Sequence, residues 1–221
     1  MADRLTYSAS DFLLFAPRTY YRLFELYNEA IWPGQFLALA AGIAIFALLL
    51  GRDAKRSRAV PALLAACWLW VAWAYLLTRY DTINWAAKYF AIGFVLQAVL
   101  LIAVSLRRRV HLSPSSDTRN RFGLALFIFA LAIQPLIGPL LFDRPWTQTE
   151  IFALAPDPTA VATLGALLLS VRGRAALLLM PLPLVWCAVS AVTLWTMGSP
   201  EAWVMTIVPA AALACIALFP R

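Results

Sequence analysis

The chain has 221 residues, of which 63% are hydrophobic and only 13% are charged, and its mean hydropathy is +0.78. A soluble globular domain carries about 25% charged residues, so this composition excludes a soluble protein and indicates one built for lipid. The net charge is +7, but the basic residues lie in short links between apolar runs. This arrangement favours membrane topology and binding to anionic lipid head groups, and it argues against nucleic-acid binding.

The N-terminal segment differs from the rest of the chain. Residues 1–11 lack the basic-then-apolar layout of a cleavable leader, so we expect the first span to act as the insertion signal. Residues 11–32 are too polar to span but carry seven aromatic side chains, which favour the membrane–water boundary. They predict a short interfacial helix that begins near Pro17. We therefore divide the chain into an extramembrane segment, 1–34, and a transmembrane domain, 35–221.

Long apolar runs follow one another through the second of these parts. Each is close to the roughly 20 residues that cross a hydrocarbon core of about 30 Å. They predict an all-α, polytopic membrane protein with seven transmembrane helices. The predicted spans are 35–50, 60–78, 85–106, 122–142, 158–171, 175–196 and 202–219.

The distribution of basic residues predicts the orientation of these spans. Twelve of the 18 Lys and Arg residues lie in the links after spans 1, 3 and 5 and at the C-terminus. Because basic residues accumulate on the cytoplasmic side, the N-terminus is expected outside and the C-terminus inside. Anionic lipids are the expected partners of these basic links.

The fifth span is unusually short. Its 14 predicted residues, 158–171, cover about 21 Å, well below the thickness of the hydrocarbon core. Asp157 and Pro158 predict a helix start, with Asp157 as the N-cap and Pro158 at the first helical position. The apolar segment 151–156 is expected to dip inward with this start, where irregular backbone must be buried in protein or line a wet cavity. The alternative is a tilted helix in a locally thin bilayer.

Polar residues near the outer ends of the spans form the candidate ligand site. Tyr75 and Arg79 lie at the end of span 2, Asn84 at the start of span 3, and Asp157 and Thr159 at the start of span 5. Both signs of charge are present here and in the link before span 5, which predicts a polar vestibule for a small ligand. The alternative is a set of weak ion pairs at an exposed rim.

Two tryptophans extend this prediction. Trp70 and Trp73 are three residues apart, so they share one helical face and predict a wall for a flat ligand. The alternative is that tryptophans form the usual interfacial belt.

Side chains for catalysis or metal binding are scarce. His111 is the single histidine and lies in a basic link, and the three cysteines lie inside apolar runs without metal-ligand spacing. No catalytic residue, metal site or particular cofactor is therefore predicted, and an enzyme is disfavoured.

Three stretches resemble the DUF6064 family of bacterial integral membrane proteins, which has no assigned function. They are YNEAIWPGQ at 27–35, W-x-x-x-A-Y…IN from Trp70 to Asn84, and P-x-P-T…T-x-G-x-L-L-L from Pro156 to Leu169. The resemblance implies a multi-pass protein of the bacterial cytoplasmic membrane. It also implies a cysteine between the two prolines and a histidine after the span 2 tyrosine, where this chain has Asp157 and Leu76. If those residues form the family's site, it is altered or lost here.

Three functional hypotheses follow. The first is a protein that binds or transports a small molecule through an outward-facing cavity near span 5, where the helix N-terminus favours an anionic or polar group. The second is an accessory subunit whose small-residue faces, 40–42 and 164–166, pack against membrane-protein partners. The third is a membrane enzyme.

Overall fold

The computed structural model describes residues 15–51, 58–106, 117–170 and 174–219. The regular elements in these residues are all helical, and no strand occurs among them. The basic links predicted to set the orientation lie largely outside the described residues, as do His111, residues 1–11 and the C-terminal arginine.

The described residues form ten α-helices, two of them continued by π-helical segments. The helices are α1 Pro17–Ala30, α2 Gly34–Leu50, α3 Ala59–Trp70 with a π-helix Val71–Leu77, α4 Ala87–Leu106, α5 Thr118–Ile128 with a π-helix Phe129–Ile133, α6 Gln134–Leu141, α7 Pro156–Ser170, α8 Arg174–Leu179, α9 Pro181–Thr196 and α10 Ala202–Leu218.

Three continuous helical stretches are long and apolar enough to cross a membrane: Ala59–Thr82, Ala87–Leu106 and Thr118–Leu141. The pair α1 and α2 makes a fourth if the two are counted as one span, while α9 and α10 are apolar but shorter. The predicted all-α class is confirmed, and three to four helices have the length and composition of membrane spans.

The predicted sixth span, 175–196, is divided into α8 and α9 around Met180. Pro181 and Pro183 have no backbone N–H, so neither can donate to the carbonyl four residues before it, and the helical hydrogen bonding is interrupted here. The chain therefore breaks where a single helix was predicted.

Helix α1 forms a separate element, as its aromatic and polar composition predicts. It meets α2 at 92°. Tyr20, Phe24 and Tyr27 lie on one face and are buried, and the Phe24 ring stacks on Tyr75 of the π-helix with a centroid distance of 4.8 Å. On another face, the Asn28 side chain donates hydrogen bonds to two carbonyls of the link between α6 and α7. Helix α1 therefore covers one end of the bundle, which we call the α1 end.

Helix α7 is the centre of the bundle, because all its residues from Pro156 to Ser170 are buried. It crosses α5 so closely that a Cβ atom at Gly165 would lie 2.7 Å from the Gly123 carbonyl oxygen and from the Phe127 nitrogen. Small residues permit such close approach of two helix backbones. The small-residue face 164–166, predicted to contact partner proteins, is instead packed inside this chain. Its enclosure also explains why α7 can be short, since its sides contact protein.

Candidate functional site

The link between α6 and α7 folds into the protein before α7 begins. Residues 152–155 are buried, and Ala153 has a left-handed backbone with φ 66°. The Ala153 N–H donates to Thr159 Oγ1 at 3.0 Å, and the same hydroxyl donates to the Ala155 carbonyl at 2.7 Å. Thr159, a predicted ligand residue, thus holds this turn. The segment predicted to dip inward is indeed enclosed by protein.

Asp157 lies in the first turn of α7, not at the N-cap, because the helix begins at Pro156. The N-cap prediction was therefore wrong by two residues. Both Pro156 and Pro158 fit the first turn, since the first four N–H groups of a helix have no acceptor within the helix. The Asp157 side chain points away from its own helix. Its carboxylate accepts hydrogen bonds from Trp186 Nε1 at 2.8 Å and from Ser190 Oγ at 2.5 Å.

Asp157 also lines a cavity at the α1 end. The volume open to the centre of a water-sized sphere is about 20 Å³, which is enough for one water molecule or an ion of similar size. Four apolar side chains from α6, α9 and α10 complete the wall. We call this space the carboxylate cavity and define it by its polar residues, Gln134, Arg144, Glu150, Asp157 and Glu201.

Arg144 is the basic member of the cavity. Its Nη2 donates to Glu201 Oε1 at 2.5 Å, and its guanidinium carbon lies 4.2 Å from the centroid of the Tyr21 ring. A side chain at Gly138 would overlap the guanidinium, so this glycine makes room for it. The Nε and Nη1 atoms of Arg144 are buried and have no hydrogen-bond partner among the described residues. The carboxyl groups of Glu150, Asp157 and Glu201 share the cavity with this guanidinium.

Glu150 is the least compensated of these carboxyl groups. It is only 8% exposed, and no donor within the described residues contacts its side chain. Burial raises the pKa of Glu150 well above its usual value, the negative charges of Asp157 and Glu201 raise it further, and Arg144 opposes them. Burial also raises the pKa of Glu201, again opposed by Arg144. The protonated form of Glu150 is thus strongly favoured.

A second, smaller cavity lies on the other side of the Asp157 hydrogen bonds, and we call it the tyrosine cavity. Its volume on the same measure is about 10 Å³. The Tyr75 hydroxyl is buried and has no partner among the described residues, whereas the Tyr80 hydroxyl accepts a hydrogen bond from Asn84 Nδ2 at 2.9 Å. The cavity is lined by Tyr20, Tyr75, Tyr80, Pro156, Trp186, Val189, Ser190 and Thr193.

The predicted ligand residues separate into two groups. Asp157 lines the carboxylate cavity, Tyr75 lines the tyrosine cavity, and Asn84 reaches the latter through Tyr80. Arg79 lines neither cavity, and Thr159 is bonded within its own turn.

Trp70 and Trp73 do not form a wall of either cavity. Trp73 is 60% exposed and Trp70 is 40% exposed, and their rings meet edge to face at 5.6 Å. Trp70 Nε1 donates to the Tyr27 hydroxyl at 3.0 Å. Both rings lie on the outside of the bundle, as expected of tryptophans that contact lipid.

Sequence reasoning did not single out four polar residues of the site. Arg144 and Glu150 stood among the charged groups of the link before α7, Gln134 lies in the span that precedes this link, and Glu201 lies far from all three in sequence. A signal existed for Glu150, because it immediately precedes the apolar segment 151–156. A carboxylate at the edge of a segment expected to be buried is itself a candidate for a functional residue.

Comparison with known proteins identifies one family. The model of the family of unknown function DUF6064 matches residues 18–221. No curated protein and no solved structure matches the chain. The resemblance noted in the three sequence stretches is confirmed across nearly the whole chain.

Proposed function

We propose that this chain, which belongs to the DUF6064 family, is a seven-span membrane protein that binds and transports a small cationic solute. The solute binds in the carboxylate cavity. The positive-inside distribution of the basic links supports a multi-pass protein of the bacterial cytoplasmic membrane, with the α1 end on the outer side. Helices of 17 residues, such as α2 and α10, cover about 25 Å and cross the bilayer with modest local thinning.

The charge of the carboxylate cavity carries this proposal. Glu150, Asp157 and Glu201 face a single guanidinium, that of Arg144, among the described residues that line it. Removing an ion from water costs several kcal/mol, and a nearby opposite charge must offset that cost. The unmatched negative charge therefore favours a cation over an anion.

The sequence favours an anionic or polar group at the N-terminus of α7, and we depart from the anionic option for the same reason. The positive end of the α7 dipole would favour an anion. Asp157, in the first turn, already supplies that negative charge. The helix end therefore stabilises the carboxylate of the protein itself and leaves no favourable place for a second anion.

The size of the cavity restricts its occupant. Space for about one water molecule admits ammonium or an alkali cation, and a larger amine enters only when the helices move apart. One wall of the cavity includes an irregular helical stretch, because the π-helix Phe129–Ile133 leads directly into α6, which contains Pro135 and Pro139. Such irregular helices are common at sites of movement.

Ligand-induced thermal stabilisation of the purified protein in detergent tests the proposal. Ammonium, methylammonium, guanidinium, sodium and potassium chlorides are compared at constant ionic strength, with sodium sulfate and phosphate as the anion series. A ligand at 100 times its Kd stabilises the folded state by about 2.7 kcal/mol, so at least one cation is expected to raise the Tm.

Matched variants locate the binding site. Asp157→Asn is expected to abolish the cation-dependent shift, whereas Asp81→Asn is expected to retain it, because Asp81 forms a solvent-exposed ion pair with Lys88 at 3.4 Å. Stabilisation by anions alone, or a cation shift that survives Asp157→Asn, would contradict the proposal.

A further inference from the structure

The three acids of the carboxylate cavity are not equivalent. Asp157 accepts hydrogen bonds from Trp186 and Ser190. Glu201 accepts one from Arg144 at 2.5 Å and one from the Tyr21 hydroxyl at 3.4 Å. Glu150 has neither a donor nor an ion-pair partner among the described residues, although it is more than nine-tenths buried. Burial removes most of the hydration of this side chain and no donor replaces it, which costs the charged carboxylate more free energy than the neutral carboxylic acid.

The one basic group that faces Glu150, among the described residues, already forms an ion pair with another carboxylate. Arg144 is the one cation among the described groups that act on Glu150 electrostatically, and its Nη2 is bonded to Glu201. The other titratable groups facing it are acids or phenols, namely Asp157 on α7, Glu201 before α10, Tyr20 and Tyr21 on α1, and Tyr75 on the π-helix after α3.

We infer that Glu150 carries an exchangeable proton, and that the cationic solute and this proton displace each other in the carboxylate cavity. The second half of this inference rests on the proposed function. When a monovalent cation enters, the O–H bond of Glu150 breaks and the proton leaves to water. The carboxylate that forms then offsets the charge of the cation. The net charge of the cavity is the same before and after the exchange.

This exchange couples the movement of the cation to an opposite movement of the proton. A cavity that always holds either one proton or one cation moves a proton one way for each cation moved the other way. The cavity with neither occupant is unfavourable, because three carboxylates then face one guanidinium in a poorly solvated place. Loss of the Glu150 proton adds a carboxylate beside the cation, so the cation binds more tightly to the deprotonated cavity than to the protonated one. The class of function is therefore cation–proton exchange.

Infrared spectroscopy tests the proton directly and requires no ligand. Spectra of the reconstituted protein are recorded in H₂O and D₂O near neutral pH. We expect an absorption of a buried, protonated carboxyl group that is lost in Glu150→Gln and retained in the matched control Glu29→Gln, since Glu29 is an exposed residue of α1. Glu150→Asp keeps a carboxyl group at this position and is expected to retain the absorption. It therefore distinguishes removal of the acid from loss of the fold. A spectrum without this absorption, or one unchanged by Glu150→Gln, would overturn the inference.

A pH-indicator dye in weakly buffered detergent solution tests the exchange, and wild-type protein alone is sufficient. We expect about one proton to be released for each ammonium, sodium or potassium ion bound. Cation binding without proton release would overturn the exchange and leave the proposed function standing. Absence of binding by all tested cations, together with the Glu150 infrared signal, would overturn the proposed function and leave the proton site standing.

Discussion

The two ends of α7 differ in their surroundings: the first turn makes polar contacts beside cavities, and the later turns pack closely against another helix. Its first turn faces two cavities, and Asp157 there is bonded to side chains of α9. Further along, Gly165 lies against the backbone of α5 without a gap. The close-packed half leaves no room for an added side chain, whereas the first turn lies beside a cavity in which Gln134 and Arg144 have buried polar atoms without partners among the described residues.

The largest effect is expected in the close-packed half, from Gly165→Ala. The added Cβ would lie 2.7 Å from backbone atoms of Gly123 and Phe127, which cannot rotate away. We expect a loss of about 3 kcal/mol in the free energy of unfolding, at the upper end of overpacking effects. Thermal or denaturant unfolding in detergent measures it. Gly34→Ala is the control, because the nearest atom to its Cβ is 3.9 Å away. Equal stabilities of the two variants would contradict the close crossing.

The next effect is expected in the first turn, from removal of the Asp157 carboxylate. Asp157→Ala leaves the Trp186 N–H and the Ser190 hydroxyl without their acceptor, which costs about 1–3 kcal/mol. A double-mutant cycle with Ser190→Ala isolates the hydrogen bond, and we expect a coupling energy of about 1 kcal/mol. Additive effects of the two substitutions would show that this bond contributes nothing.

The pH dependence of stability sharpens the comparison further. The folded state keeps the Glu150 proton above pH 4.5, where the unfolded chain has lost it, because burial raises the pKa of this group. Stability should therefore fall as pH rises from about 4.5 towards the raised pKa, by up to about 1.4 kcal/mol per pH unit.

The difference between wild type and Glu150→Gln isolates this contribution. Melting curves between pH 4.5 and 8 are expected to show a smaller decline with pH in the variant. A parallel pair of curves would exclude Glu150 as the responsible group.

The smallest effect is expected on the outer surface, from Trp73→Leu. Trp73 is mostly exposed and lines neither cavity, so the change should alter stability by less than about 0.5 kcal/mol and leave cation binding intact. Thermal unfolding without added cation measures the stability, and the thermal-shift series with added cations measures the binding. Lost binding in this variant would restore the tryptophan-wall prediction.

Length and hydropathy alone determined the class of this protein and the position of its helices. Apolar runs predicted α2 and α4 to within two residues, and the aromatic, polar composition of residues 11–32 predicted α1 as a separate helix. These properties are local, because each segment must satisfy its own backbone hydrogen bonds and match its own surroundings in lipid. The motif around Asp157 also directed attention to a part of the chain that lines the carboxylate cavity.

The tertiary structure decided which residues meet. The inward fold of the link before α7 and the packing of α7 against α9 and α10 bring Glu150, Asp157 and Glu201 to one cavity, across 51 positions of sequence. The outward direction of Trp73 and the burial of residues 164–166 depend in the same way on which helix face packs inward. A uniformly apolar helix carries little pattern to specify that face, so its neighbours determine it through close packing.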